Sequence, residues 1–302
     1  MINPIIPDAS NSATRLALGT VQFGQNYGIA NQCGQVSFDE VQAITKLSHE
    51  SGMNTLDTAT AYGNSEQRLG AIGVQHWHVV SKLPAIPEQC GDICRWVFDT
   101  VGESLNRLQV KQLHGLLLHR PQQLLEPSGD QLYRALLQLK KNGLVTKIGI
   151  SIYDPTELDT ICSLYDIDLV QAPFNVIDRR LIESGWLFRL ASMGVELHVR
   201  SVFLQGLLLM SAISRPKKFD RWAPLWSSWD RWVNEMGTTS LQACLRYVLS
   251  FQEINKVVVG VDSIRQLNEI LEASVGAAQV VPSSIVGSDL DLINPANWQR
   301  FR

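Results

Sequence analysis

Residues 57 to 66 read Asp-Thr-Ala-Thr-Ala-Tyr-Gly-Asn-Ser-Glu. A carboxylate, Asp57, and a phenol, Tyr62, stand five residues apart in a loop closed by Gly63. Two later segments add the other groups that move protons: Val79-Val80-Ser81-Lys82 ends on a lysine, and Leu116-Leu117-Leu118-His119 ends on a histidine. These four types suit addition of hydrogen to a carbonyl. A phenol donates the proton to oxygen more readily beside an ammonium, and a carboxylate keeps that ammonium charged against desolvation. An imidazole N–H polarises the same oxygen. On this reading Tyr62 is the proton donor, Lys82 and Asp57 tune it, and His119 orients the carbonyl.

Such a site needs elements that bring four distant residues to one rim. Met53–Asp57 reads as a strand, and Asn64 or Ser65 can cap a helix beginning near Glu66. The whole chain alternates in this way. Expected strands are Arg15–Gly19, Met53–Asp57, His78–Ser81, Leu113–Leu118, Thr146–Ile150, Leu169–Gln171, Glu196–Val199 and Lys256–Val259. Expected helices are Phe38–Ser51, Ser65–Ile72, Asp92–Leu108, Asp130–Asn142, Pro155–Tyr165, Leu181–Met193, Ser240–Phe251 and Ile264–Ala273. Strand then helix, eight times, predicts a single-domain α/β (β/α)8 TIM barrel over residues 1–302. Acid–base groups at successive strand ends then share its C-terminal face. Two segments fall outside the repeat. Residues 207–239 form an insertion after strand seven with Trp222, Trp226, Trp229 and Trp232 at helical spacing, either a core-packing stripe or a substrate platform. The tail, 281–302, is either a lid over the barrel mouth or a strut outside it.

With the Asp-Thr-Ala-x-x-Tyr-Gly-x-Ser-Glu element and the order of Lys82 and His119 in view, the sequence resembles the aldo-keto reductase superfamily, from Leu16-Ala17-Leu18-Gly19-Thr20 to about Ala273. That resemblance implies an NADP(H)-dependent oxidoreductase (EC 1.1.1.-) that reduces an aldehyde or ketone to an alcohol. It implies NADPH as cofactor, with NADH possible, bound across the barrel face. The chain has no Gly-x-Gly-x-x-Gly after its first strand, which argues against a Rossmann domain.

By the same resemblance Gly19, Thr20 and Asp57 border the cofactor, and Ser151 and Gln171 hold its carboxamide, with Asn175 in the same Gln-x-x-Phe-Asn element. Ser201, Leu204, Gln205 and Gly206 match the pyrophosphate segment. Gly260, Ser263, Arg265, Gln266 and Glu269 match the adenosine end, where the eighth helix would offer its N-terminus to phosphate. Departures from the family pattern are Ile152 after Ser151, Gln266 for an arginine, Ile270 for an asparagine, and Arg200 where an aromatic ring usually stacks on nicotinamide. Phe23, Tyr27 and Arg120 are expected to contact substrate, with Arg179 and Arg180 near the mouth. The excess of arginine hints at a polar or anionic substrate.

Bulk properties fit a small-molecule enzyme. The net charge of −3 gives no reason to expect nucleic acid or a membrane surface. Nothing at the start resembles a signal peptide, and no stretch approaches the ~18 apolar residues of a membrane span. Five cysteines without metal-like pairing are expected to be reduced thiols in the cytoplasm. No metal ligand set appears, and oligomeric state is not legible. Two rival readings are a nucleotide-sensing regulatory protein of the same fold with little turnover, and a barrel lyase using Lys82 as a Schiff base. The intact tetrad disfavours the first and the carboxylate partner of Lys82 the second.

Overall fold

The fold comes from a computed structural model, which describes residues 9–31 and 33–300. Its strands are β1 (Leu16–Gly19), β2 (Thr55–Asp57), β3 (His78–Leu83), β4 (Leu113–Leu118), β5 (Val145–Ser151), β6 (Leu169–Pro173), β7 (Glu196–Arg200) and β8 (Lys256–Gly260). Each pairs in parallel with the next, and β8 returns to β1, so the barrel is closed. The helices are α1 (Ala9–Arg15), α2 (Val21–Gly24), α3 (Phe38–Glu50), α4 (Ser65–Ile72), α5 (Ile93–Leu108), α6 (Gly129–Lys141), α7 (Glu157–Leu164), α8 (Arg180–Glu183), α9 (Trp186–Ser192), α10 (Ala223–Glu235), α11 (Ser240–Leu249), α12 (Ile264–Ala273) and α13 (Leu290–Ile293).

The strands are short and almost wholly buried because both faces are covered, one by helices and one by the barrel interior. Inside, Val80, Leu117 and Leu169 form a small apolar plug separate from the main core. Glycines make room for it: a Cβ on Gly115 would lie 2.7 Å from the Leu169 side chain, and one on Gly149 would lie 1.9 Å from the Leu169 carbonyl oxygen. Polar groups sit above this plug. Register sets their level, since Gly19 pairs with Asp57 and with Gly260, and Ser151 pairs with Gln171.

Three expectations change. Arg15 ends α1 rather than starting a strand, and its guanidinium donates to the carbonyls of Leu249, Phe251 and Ile254. The helix expected over Leu181–Met193 is split into α8 and α9 at Gly185, whose φ of 76° is the left-handed conformation glycine tolerates. β3 runs two residues longer, so Lys82 lies within a strand rather than just beyond one.

The two segments outside the repeat pack against each other. Trp226, Trp229 and Trp232 on α10 are buried in the core, so the aromatic stripe packs on the protein. The tail runs beside this insertion. Trp298 is buried against Phe219 with ring centroids 4.9 Å apart, and Arg221 pairs with Asp289 at 2.7 Å. Gly287 N–H donates to the Ile177 carbonyl after β6. Among the described residues, none of the tail lines the main cavity; it packs on the insertion and on the segment after β6.

Candidate active site

Asp57 is the last residue of β2, and Lys82 projects beside it from β3. Lys82 is 1% exposed and Asp57 4%. The Lys82 ammonium donates to Asp57 Oδ1 at 2.7 Å and to the Thr58 carbonyl at 3.0 Å. The other carboxylate oxygen, Oδ2, accepts from Gln171 Nε2 at 2.6 Å, and Ser151 Oγ donates to Gln171 Oε1 at 3.4 Å. Burial alone would lower the Lys82 pKa. The Asp57 carboxylate and the Tyr62 phenol outweigh burial, so it is raised and the lysine stays protonated. A buried ion pair of this kind adds little net stability, but it is costly to break because it would strand a charge.

Tyr62 lies in the loop between β2 and α4, its ring centroid 5.1 Å from the Lys82 ammonium. Gly24 and Gly63 determine how closely that loop packs. A Cβ on Gly24 would fall 1.6 Å from the Tyr62 carbonyl oxygen, and Gly63 has φ of 53° with its own Cβ position 2.2 Å from the Gly24 oxygen. Behind the loop, Ser65 Oγ donates to the Thr20 carbonyl at 3.0 Å, tying α4 to the end of β1. Glu66 Oε1 accepts from Ser81 Oγ and Ser104 Oγ, and Arg107 pairs with Oε2 at 2.8 Å. The residues Thr58, Ser65 and Glu66 of the motif therefore hold the loop to its neighbouring strands.

His119 follows β4, with its ring edge-on to Tyr62 and the centroids 6.3 Å apart. Burial first, then the positive charges of Lys82 and Arg200, lower its pKa to about 4, with Asp57 opposing. The imidazole is therefore neutral near pH 7 and offers one N–H. Arg200, at the end of β7, is fixed by its own contacts. It donates to the Ile152 carbonyl at 2.9 Å and to Ser201 Oγ at 3.2 Å, and its guanidinium lies 4.6 Å from the Tyr153 ring centroid. Tyr153 carries no signal in the sequence that would have marked it.

These residues share one cavity of about 620 Å³. It runs from Asp57, Tyr62, Lys82 and His119, past Gly19, Thr20, Ser151, Gln171 and Arg200, along Ser201, Gln205 and Gly206, to Gly260, Arg265, Gln266 and Glu269. Tyr27 lines it too, with its hydroxyl accepting from Gln205 Nε2 at 3.2 Å. Six expected residues are not among those that line it. Phe23 is fully buried in the core, and so is Leu204. Ser263 caps α12, its hydroxyl accepting from the Gln266 N–H. Arg120 is exposed and pairs with Glu126 at 3.0 Å. Arg179 donates to the tail carbonyls of Pro282 and Ile285, and Arg180 pairs with Asp154 and Asp178. Of the five arginines expected near the cofactor or substrate face, Arg200 and Arg265 line the cavity.

The middle of the cleft is lined by strained backbone. After β7 the backbone turns left-handed at Ser201, Leu204, Gln205 and Gly206, with φ of 61°, 49°, 53° and 91°. Non-glycine residues hold such geometry at a cost of roughly 1–3 kcal/mol each, and it clusters at ligand clamps. Beside Gly260, Gln22 Oε1 is buried and has no hydrogen-bond partner among the described residues, although Gln22 lines the cavity. A donor on a bound molecule or a water would satisfy this acceptor.

Comparison with known proteins agrees with this geometry. The profile of the aldo/keto reductase family matches residues 15–281. The L-galactose dehydrogenase of Arabidopsis thaliana is 26% identical over 283 residues, covering 86% of this chain and 85% of that protein. The aldo-keto reductase YhdN of Bacillus subtilis is 24% identical over 191 residues, 59% of this chain and 55% of that protein. Among solved structures, an aldo-keto reductase from Bacillus halodurans in its holo form superposes with a TM-score of 0.69 at 22% identity, with 88% of each chain covered, which speaks to the fold. Among the described residues no helix is long and apolar enough to cross a membrane. A closed eight-stranded parallel barrel, four acid–base residues on one rim and a family match along most of the sequence give one conclusion: the chain belongs to the aldo/keto reductase family.

Proposed function

We propose that this chain transfers hydride between a nicotinamide dinucleotide and the carbonyl carbon of a small aldehyde or ketone, with Tyr62 exchanging the proton on oxygen. The observation that carries the reading is the state of Lys82. It is wholly buried, kept charged by Asp57 at 2.7 Å, and aimed at a tyrosine that sits between it and a neutral histidine. A buried ammonium with that neighbour has a direct chemical use. It favours the phenolate that remains once Tyr62 has given up its proton. The nicotinamide, when bound, supplies the hydride that no side chain can.

Each protein group then has a task. The His119 N–H and the Tyr62 hydroxyl fix the carbonyl oxygen from two sides and polarise it. Thr58 and Asp57 keep the ammonium from turning away. Ser151 and Gln171 stand at the same level on neighbouring strands, where they can hold the carboxamide of the nicotinamide ring. Gln171 can do so while keeping its bond to Asp57, because its amide has a second N–H and its Oε1 a second lone pair. Arg200 offers its flat guanidinium face and its remaining donors to the reacting end of the cleft. This supports a substrate with polar groups next to its carbonyl, as in a sugar derivative.

The resemblance implies NADPH, whose 2′-phosphate calls for a cationic partner, and Arg265 is the cation among the residues matched to the adenosine end. Arg265 lies along α12 with its side chain 82% exposed and 3.8 Å from Glu269, so the 2′-phosphate draws no firm support from it. A panel of aldehydes and ketones, assayed with NADH and NADPH for nucleotide oxidation, tests the reading. Binding of either nucleotide without turnover on any carbonyl would favour a nucleotide-sensing role instead.

A further inference from the structure

The far end of the cleft differs in charge from the catalytic end. β8 finishes at Gly260, and a short loop leads into α12. Asp262 on that loop is half-buried and lines the cavity. Its Oδ1 accepts one long hydrogen bond, 3.3 Å, from Asn31 Nδ2 across the cleft. Among the described residues no lysine or arginine forms an ion pair with it. Burial raises its pKa, and the Gln266 amide acts in the opposite direction.

Two of the first N–H groups that a phosphate would use at this end are already occupied. A helix N-terminus binds anions through its first free N–H groups. At α12, Ile264 N–H donates to Glu40 Oε1 at 2.6 Å, and Gln266 N–H donates to Ser263 Oγ at 3.3 Å. The Gln266 side chain turns back on the loop and accepts from the Asp262 N–H at 2.8 Å. Arg265 is drawn along the helix towards Glu269. Asp262 therefore places a carboxylate on the cavity wall at this end, Glu40 adds a second at the start of the helix, and Arg265 turns to solvent with its side chain 82% exposed. A carboxylate is, in contrast, the natural acceptor for a ribose 2′-hydroxyl.

We infer that this chain selects the unphosphorylated dinucleotide, NADH or NAD⁺, with Asp262 accepting from the adenosine ribose and repelling a 2′-phosphate. The inference rests on the hydride-transfer reading above, but it concerns the opposite end of the ligand. Calorimetric titration of the whole chain with NADH and with NADPH tests it by binding alone. NADH should bind at least about tenfold more tightly. Asp262→Asn should narrow that ratio by about tenfold, chiefly by tightening NADPH. Glu40→Gln keeps an acceptor for Ile264 and removes the charge, so it should move the ratio the same way by a smaller factor. NADPH binding as tight as NADH in the unaltered protein would overturn the inference while leaving the hydride-transfer reading standing. Equal shifts for both nucleotides in Asp262→Asn would do the same. Failure of both nucleotides to bind would overturn the two together.

Discussion

The two ends of one cleft are built differently. At the catalytic end, Asp57, Lys82 and Gln171 come from the ends of strands, all nearly inaccessible, and they hold one another at 2.6 to 2.7 Å. At the adenosine end, Asn31, Asp262, Arg265 and Gln266 come from loops and the first turn of a helix, and they are half-buried or exposed. The contrast has a physical origin. The barrel's hydrogen-bonded register fixes strand ends to within a fraction of an ångström, whereas loops accept substitution at little cost. The tetrad is complete, and of the four departures from the family pattern Ile152 and Arg200 lie at the catalytic end, Gln266 and Ile270 at the other.

Four experiments would break or sharpen this contrast. The largest effect is expected at Tyr62. Tyr62→Phe should lower kcat by roughly 10²- to 10⁴-fold while nucleotide affinity changes little, because the phenol serves only the proton. Turnover near that of the unaltered chain would remove Tyr62 from the chemistry.

Asp57→Asn comes next and concerns stability as well as rate. It leaves the buried Lys82 ammonium with neutral acceptors and no counter-charge, so denaturant unfolding should show a loss of about 3–5 kcal/mol. A loss below about 1 kcal/mol would mean that the pair is better hydrated than its burial indicates.

Gly24→Ala is a remote test of the same rigidity. The new methyl would sit 1.6 Å from the Tyr62 carbonyl oxygen, so the backbone must move. A displacement of about 1 Å at the phenol can cost roughly 10²-fold in kcat. The folded state should weaken by about 1–3 kcal/mol. A fully active variant would show that the Tyr62 loop is not held by this contact.

The smallest effect concerns Arg200, which links the two ends. Its charge helps to hold the His119 pKa down, to about 4. Arg200→Tyr should move that pKa upward, which histidine NMR titration reads directly. The stability sign follows. A histidine neutral in the fold leaves the unfolded chain to take up the proton between the ordinary value, about 6.5, and 4, so stability falls as pH drops through that window and levels off below it. In Arg200→Tyr the window should narrow from its lower edge. An unmoved His119 pKa would mean that burial and Lys82 set it without Arg200.

The functional reading was legible from a few residues because barrel enzymes place chemistry at strand ends. Asp57, Lys82 and His119 each end or closely follow an apolar run, and that position is visible without coordinates. The strand boundaries were nearly legible for the same reason. Residues whose role depends on what faces them were not. Phe23 reads as an aromatic on a site loop, yet it turns into the core, and Arg120 stands beside His119 but points outward to Glu126. Gly24 gives no sign in the sequence of its contact with Tyr62, since that contact joins residues 38 positions apart through backbone atoms. Local periodicity reports which face of an element is apolar. It does not report which turn of the chain lies against that face.

The sequence by itself therefore determined the eightfold strand–helix alternation, the four acid–base residues and their common rim. These follow from local patterning and from the rule that parallel strands point the same way. Tertiary structure alone decided that Arg265 runs along α12 to Glu269, that Glu40 caps that helix and that Asp262 lines the cleft. Each depends on through-space competition between groups for a partner, and Glu40 lies 224 residues before the N–H it binds.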